Sequence, residues 1–292
     1  MSDTSNPSPF TTIASGDPYQ LFAVSTPEAL AELDLIPFGI RIEPVDFRVR
    51  DFGYRGGTYP VQSLLDLFIV ANAASFGARE LGMPKWVMVD LALMPSAMVL
   101  ALTARNHVAE MTETQPNAPA LSSLLDLATE LGYEGPLPVA GYAAAPTPTR
   151  GRWVGWSVWS LVSGQNLGYA LKRLALASFR ATRQVGVTQF DNLEALALHP
   201  KFGKLRITCA KLSSHPSPYT FSYEVDLRFL PNDGSPADPS HMPASNGRIL
   251  LDDDLDGQLT AMQAAIERGV EYDVLPLSKA DIEARTIPIY HS

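Results

Sequence analysis

The stretch Gln165-Asn166-Leu167-Gly168-Tyr169-Ala170 lies between a strand-like apolar segment and an amphipathic helical one. A glycine there lets backbone approach a ligand closely. The orphan N–H groups of a helix start, with their partial positive charge, suit a phosphate. Close helix–strand packing would explain Gly168 and Ala170 equally well. Further on, His199 is a side chain able to donate a proton near neutral pH. Asp90 is the single charge within the apolar run Val87 to Leu93. Burial there would raise its pKa toward that of a general base, and a hydrogen-bonded or edge-exposed carboxylate is the competing reading. Ser157 and Ser160 precede the turn, but no Gly-x-Ser-x-Gly elbow marks a serine hydrolase.

Other residue types with metal-binding potential are less persuasive. Asp252-x-Asp254-x-Asp256-Gly257 has the first half of a calcium-loop pattern, yet its twelfth position is Gln263 where a bidentate Glu belongs. Asp256 as the N-cap of a terminal helix accounts for it. The five histidines are scattered without ligand spacing, and Cys209 is the only cysteine. No metal site and no disulfide framework are expected.

Composition sets the frame. The chain has 292 residues, 46% hydrophobic and 18% charged, which suits one large domain or two small ones. No segment offers the roughly 18 to 20 uninterrupted apolar residues of a membrane span. The polar, proline-rich first 18 residues lack the pattern of a signal peptide and read as a disordered tail. A cytoplasmic protein is the default expectation. The net charge of −9 argues against nucleic acid as partner. Its distribution is uneven: residues 151–230 carry 10 Lys/Arg against 4 Asp/Glu (net +6), the remainder 12 against 27 (net −15). The basic island suits an anionic ligand, unless Lys172, Arg173, Arg180 and Arg183 form only a solvated helix face.

The elements follow from periodicity. Helices are predicted over Thr26–Leu33, 61–82, Ser122–Leu131 and Gly257–Arg268. Strands are predicted over Phe38–Val49, Trp86–Met94, Ala97–Ala104, Pro138–Ala145, Trp153–Val162, Leu205–Leu212 and Tyr219–Phe229. Residues 107–120 read as loop and 231–247 as a Pro/Gly/Ser/Asp linker. From Gly168 the apolar spacing Leu171, Leu174, Ala175, Ser178, Ala181 and Val185 predicts a helix ended by Gly186, followed by a short strand Val187–Phe190.

Strand, Gln165-x-x-Gly168-x-Ala170 and helix together resemble the [Q/R]-x-x-G-x-[G/A] pyrophosphate loop of the GNAT superfamily of acyl-CoA N-acyltransferases. About twenty residues on, Asn192, Ala195, Lys201 and Gly203 match that family's N-x-x-A-x-x-x-Y-x-K-x-G-F pattern without a gap. His199 stands where many members carry a tyrosine, Pro200 follows it, and Lys204 replaces the final Phe. The resemblance covers about residues 138–229. It implies an α/β (α+β) fold: a mixed, mostly antiparallel sheet flanked by helices on both faces. It divides the chain into a tail (1–18), a GNAT-like domain (19–230) and a linker with a C-terminal helical extension (231–292).

The resemblance also implies acetyl-CoA or another acyl-CoA as cosubstrate. Backbone groups up to Val162 would meet the pantetheine arm, Gln165, Asn166, Leu167, Gly168, Tyr169 and Ala170 would wrap the pyrophosphate, and Asn192 would touch the arm again. Asn192 as a helix N-cap is the competing reading. His199 would be the general acid and Asp90 a candidate base, with a small-molecule or peptide amine as acceptor; a homodimer stays open. Two other functions fit the residues: a catalytically degenerate CoA-binding or protein-interaction domain, and a small-molecule-binding or decarboxylase-like α+β protein with an accidental motif match.

Overall fold

The computed structural model describes residues 19–23, 71, 72, 75, 76, 87, 97–130, 132, 134–178, 181–212, 219–231 and 235–292. The chain divides into two compact units, Met1–Thr147 with Gly155–Arg180, and Pro148–Val154 with Ala181–Ser292.

The first unit carries β1 (Tyr19–Ala23), β2 (Ala97–Thr103), helices α1 (Arg105–Met111) and α2 (Ala118–Glu130), and β3 (Leu137–Pro146). It also holds the second half of β4 (Arg152–Ser160) and helix α3 (Leu167–Ser178). β2 pairs antiparallel with β1 and β3, and β3 neighbours β4. β3 is buried at nine successive positions, Leu137 to Ala145, so both its faces are covered. α3 packs on β2 and β3, burying Leu171, Leu174 and Ala175.

The second unit starts with Arg152–Val154 of β4 and continues with β5 (Arg183–Gln189), helix α4 (Leu193–Leu198), β6 (Lys204–Cys209), β7 (Thr220–Asp226) and β8 (Gly247–Leu250). It ends with helix α5 (Leu255–Glu267), β9 (Tyr272–Val274), helix α6 (Lys279–Glu283) and β10 (Thr286–His291). Its strand order is β4-β5-β7-β6-β9-β10-β8. The β4–β5 step is parallel and the other pairs are antiparallel. Phe190 and Phe221 stack in its core at 4.1 Å, beside buried Phe202, Leu205, Val225 and Ile287. The expected α+β class, a mixed and mostly antiparallel sheet with helices, is what the molecule has.

Several elements differ from their sequence reading. α3 stops at Ser178, and residues 183–189 pair with β7 along their whole length, so Gly186 is a strand residue and no helix terminus. The apolar spacing that continued to Val185 was overridden by a partner for β-branched Val185, Val187 and Thr188. Residues 107–120, expected as loop, hold most of α1 and the start of α2. Val87 is helical within the expected strand Trp86–Met94. At 71, 72, 75 and 76 the expected helix is present.

The terminal helix begins at Leu255, and its N-cap is Asp254 rather than Asp256: the Asp254 carboxylate accepts from Gly257 N–H at 2.9 Å. Beyond the 231–247 segment the chain adds β8, β9 and β10, which were not anticipated. The predicted helix Thr26–Leu33, the strand Phe38–Val49 and the tail lie outside the described residues. Among the described residues, no helix is long and apolar enough to cross a membrane.

Candidate functional site

The ladder between β4 and β5 consists of three pairs, Arg152↔Arg183, Trp153↔Gln184 and Val154↔Val185. Among the described residues, no β4–β5 pair extends past Val154, and β4 leads directly into the loop before α3. Backbone N–H and C=O groups on an unpaired strand edge are available to an extended ligand. Along this half of β4, Ser157 is buried and accepts from Asn72 Nδ2 at 2.6 Å, while Trp156 is 49% exposed.

The loop has a tied stem and an open tip. At the stem, Leu161 N–H donates to the Val139 carbonyl at 2.8 Å. Val162 is buried, its N–H donating to Ser160 Oγ (3.2 Å) and its carbonyl accepting from the Ser160 hydroxyl (2.7 Å). At the tip, Gly164 (φ +78°) and Asn166 (φ +53°) are left-handed, and Ser163 to Asn166 are all exposed. Glycine occupies the left-handed region without penalty, and Asn is among the few other residues that tolerate it. Asn166 then starts α3, its carbonyl accepting from Ala170 N–H at 3.0 Å. Leu167 is buried and anchors the helix start; Gly168, Tyr169 and Ala170 are half-buried. The first-turn N–H groups have no partner inside the helix.

Gly168 is not required by packing. A Cβ there would meet Val158 Cγ2 at 3.5 Å, ordinary van der Waals contact. The close-packing explanation for this glycine therefore loses its force.

The basic island has a different meaning from the expected one. Arg152 and Arg183 pair with Glu224 (3.3 and 3.0 Å), Lys204 with Asp273 (2.8 Å), Arg206 with Asp273 and Glu271 (3.3 and 2.5 Å), and Lys211 with Asp256 (2.6 Å). Arg228 binds Asp226. Most of these acids lie C-terminal to the island. Lys172 and Arg173 are buried, which rules out the solvated helix face for these two. Burial lowers the Lys172 ammonium well below its ordinary pKa. Arg180 lies outside the described residues.

Asn192 is 8% exposed and caps α4, its Oδ1 accepting from Ala195 N–H at 3.2 Å. His199 ends α4 and opens a 3₁₀ turn, His199–Phe202. Pro200 falls in the first turn of that segment, where its missing N–H costs nothing. His199 is only 4% exposed. Its ring lies 4.7 Å from that of Tyr223, whose hydroxyl is 3.1 Å from Nε2 and 3.5 Å from Nδ1. Tyr223 fits because Gly186 has no side chain: a Cβ there would lie 2.7 Å from the phenol oxygen. Burial raises the Tyr223 pKa, keeping the hydroxyl protonated. The tyrosine partner of His199 was missed in the sequence, since only the β5–β7 pairing brings residue 223 beside Gly186. Asp90 lies outside the described residues.

The half-calcium pattern disperses. Asp252 pairs with Arg285 (2.7 Å), Asp254 caps α5, and Asp256 binds Lys211.

No family model matches the chain, and no curated protein matches it by sequence. Solved structures similar to it include a proposed acyl-CoA N-acyltransferase from Klebsiella pneumoniae: 19% identity, 55% of this chain and 90% of that one, TM-score 0.34. An IAA acetyltransferase from Bacillus cereus is 13% identical over 45% of this chain and 78% of its own, TM-score 0.30. A chain of the NatC complex bound to Gag peptide and CoA is 12% identical over 55% and 91%, TM-score 0.38. At these TM-scores the likeness carries no argument about activity or ligand. The topology speaks for itself. From β3 to β7, strand, strand, loop, helix, a parallel strand, an Asn-capped helix and a closing antiparallel pair succeed one another in the order the resemblance implied, and the fold is GNAT-like.

Proposed function

We propose that the chain is an acyl-CoA-dependent N-acyltransferase that passes an acetyl or other acyl group to an amine of a small molecule or peptide. The observation that carries this reading is β4, whose described pairing with β5 stops at Val154, continuing into an exposed left-handed tip and the start of α3. An extended pantetheine arm pairs with the β4 edge as far as Val162. The diphosphate lies along Gln165 to Ala170, against the N–H groups of Gln165 to Gly168, since the Ala170 N–H already serves the helix, with Gly168 allowing close approach. Asn192 Oδ1 holds the α4 cap, which leaves its amide nitrogen for any ligand contact.

In the reaction the amine nitrogen attacks the thioester carbonyl, and strand N–H groups hold the resulting oxyanion. Collapse breaks the C–S bond, expels the CoA thiolate and leaves the amide. The nitrogen gives up one proton to a base and the thiolate takes one up. Asp90 is the candidate base and His199 the candidate acid. A second reading, CoA binding without catalysis, is favoured by the burial of His199 against Tyr223.

Thermal shift with acetyl-CoA tests binding, since a ligand of the native state alone raises Tm. No shift at millimolar acetyl-CoA overturns both readings. A shift without acyl transfer to a panel of amines selects the second. Gly168→Glu places negative charge against the phosphates and is expected to weaken binding by about 100-fold or more; wild-type affinity in that variant would put the diphosphate elsewhere.

A further inference from the structure

Gln115 stands in the α1–α2 connection, 48 residues from the loop in sequence, and its side chain reaches across to it. Its Oε1 accepts from the Ser163 N–H at 2.8 Å. Two residues on, Asn117 Nδ2 donates to the Leu161 carbonyl at 3.5 Å. The remaining bonds of the stem come from within the strands: Val139 holds Leu161, and Ser160 holds Val162. Ser163 is the last residue before the left-handed Gly164, so its amide is where the fixed stem ends and the open tip begins. Two left-handed residues in three make the tip costly to order, and a ligand that needs its N–H groups converged must meet that cost unless the protein has already met it.

We propose that Gln115 is a positioning residue for the loop: by holding the Ser163 amide, it presets the direction in which Gly164 to Asn166 deliver the first turn of α3 to a ligand's diphosphate. The α1–α2 connection thereby becomes part of the binding apparatus without touching the ligand. This rests on the reading of the loop as the diphosphate site.

Two variants of the full chain separate a positional role from a merely structural one. Gln115→Leu removes the acceptor; Gln115→Glu keeps an oxygen for the Ser163 N–H and adds a negative charge near the tip. Amide hydrogen exchange across 160–170 and CoA affinity by calorimetry at low and high salt are read for each. Gln115→Leu is expected to speed exchange at Ser163 and to weaken CoA binding by about fivefold, the worth of one hydrogen bond. Gln115→Glu is expected to keep Ser163 protected yet bind CoA more weakly, with the deficit shrinking as salt rises. The ligand-free melting temperature of each variant checks that it folds. Unchanged CoA affinity in Gln115→Leu overturns the proposal alone. A wild-type protein that binds no CoA overturns the diphosphate reading and the proposal with it.

Discussion

The Ser160–Ala170 loop and the Asn192–Gly203 segment were the two matches to one family pattern, and the structure treats them in opposite ways. In the first, the tip is exposed, left-handed at two positions and tied only at its stem. In the second, Asn192 and His199 are turned inward, Asn192 onto the Ala195 amide and His199 onto Tyr223, and Pro200 sits in the first turn of the 3₁₀ segment. Gly203 (φ +149°) closes it, and a Cβ there would run into the Asp226 carbonyl oxygen. Gly168, by contrast, has room for a Cβ. A glycine dictated by packing and a glycine that packing does not need are different kinds of evidence. The second kind leaves room for the ligand proposed above.

That contrast can be broken or sharpened by mutation. Gly203→Ala is expected to have the largest effect, about 3 kcal/mol of lost stability in denaturant unfolding, because both the backbone conformation and the β7 carbonyl exclude a methyl group. Gly168→Ala is its counterpart and should leave ligand-free stability within about 0.5 kcal/mol; a loss as large as that of Gly203→Ala would erase the distinction. Tyr223→Phe removes the hydrogen bond to His199 and should cost about 1 kcal/mol. Its pH signature is specific. The folded-state pKa of Tyr223 lies above its ordinary value of 10.0, so its contribution is full below pH 10 and is lost as pH rises further. The variant should therefore flatten the alkaline limb of the stability profile, and an unchanged limb would place that titration elsewhere. Asn192→Ala should be smallest, about 0.5 to 1 kcal/mol for a lost cap, read from the shift in unfolding midpoint.

Charge offers a second comparison. A sum over residues 151–230 suggested a surface waiting for an anion, whereas folding pairs Arg206, Lys204 and Lys211 with Asp273, Glu271 and Asp256. A surface pair such as Lys211–Asp256 adds little stability, whereas Asp273 is buried with Lys204 and Arg206 as its partners. Together these pairs offset much of the island's charge, which weakens the case for an anionic ligand drawn from the charge sum.

The sequence by itself determined the strands β3 and β4, the turn after them and the start of α3, because hydrophobic period and turn chemistry are local properties and agree there with the fold. It also placed Asn192 at a helix start, where its side chain caps α4. Local signals ran out where the partner decides the structure. Residues 183–189 carry a spacing that continues α3, and only pairing with β7 makes them a strand. The short strands β8, β9 and β10 have three to six residues and no period of their own; they exist through their neighbours. His199, a candidate acid in the sequence, is placed against Tyr223, 24 residues away, by the fold. Whether a polar side chain faces solvent or a partner is a property of packing, and packing is set by contacts between residues distant in the chain.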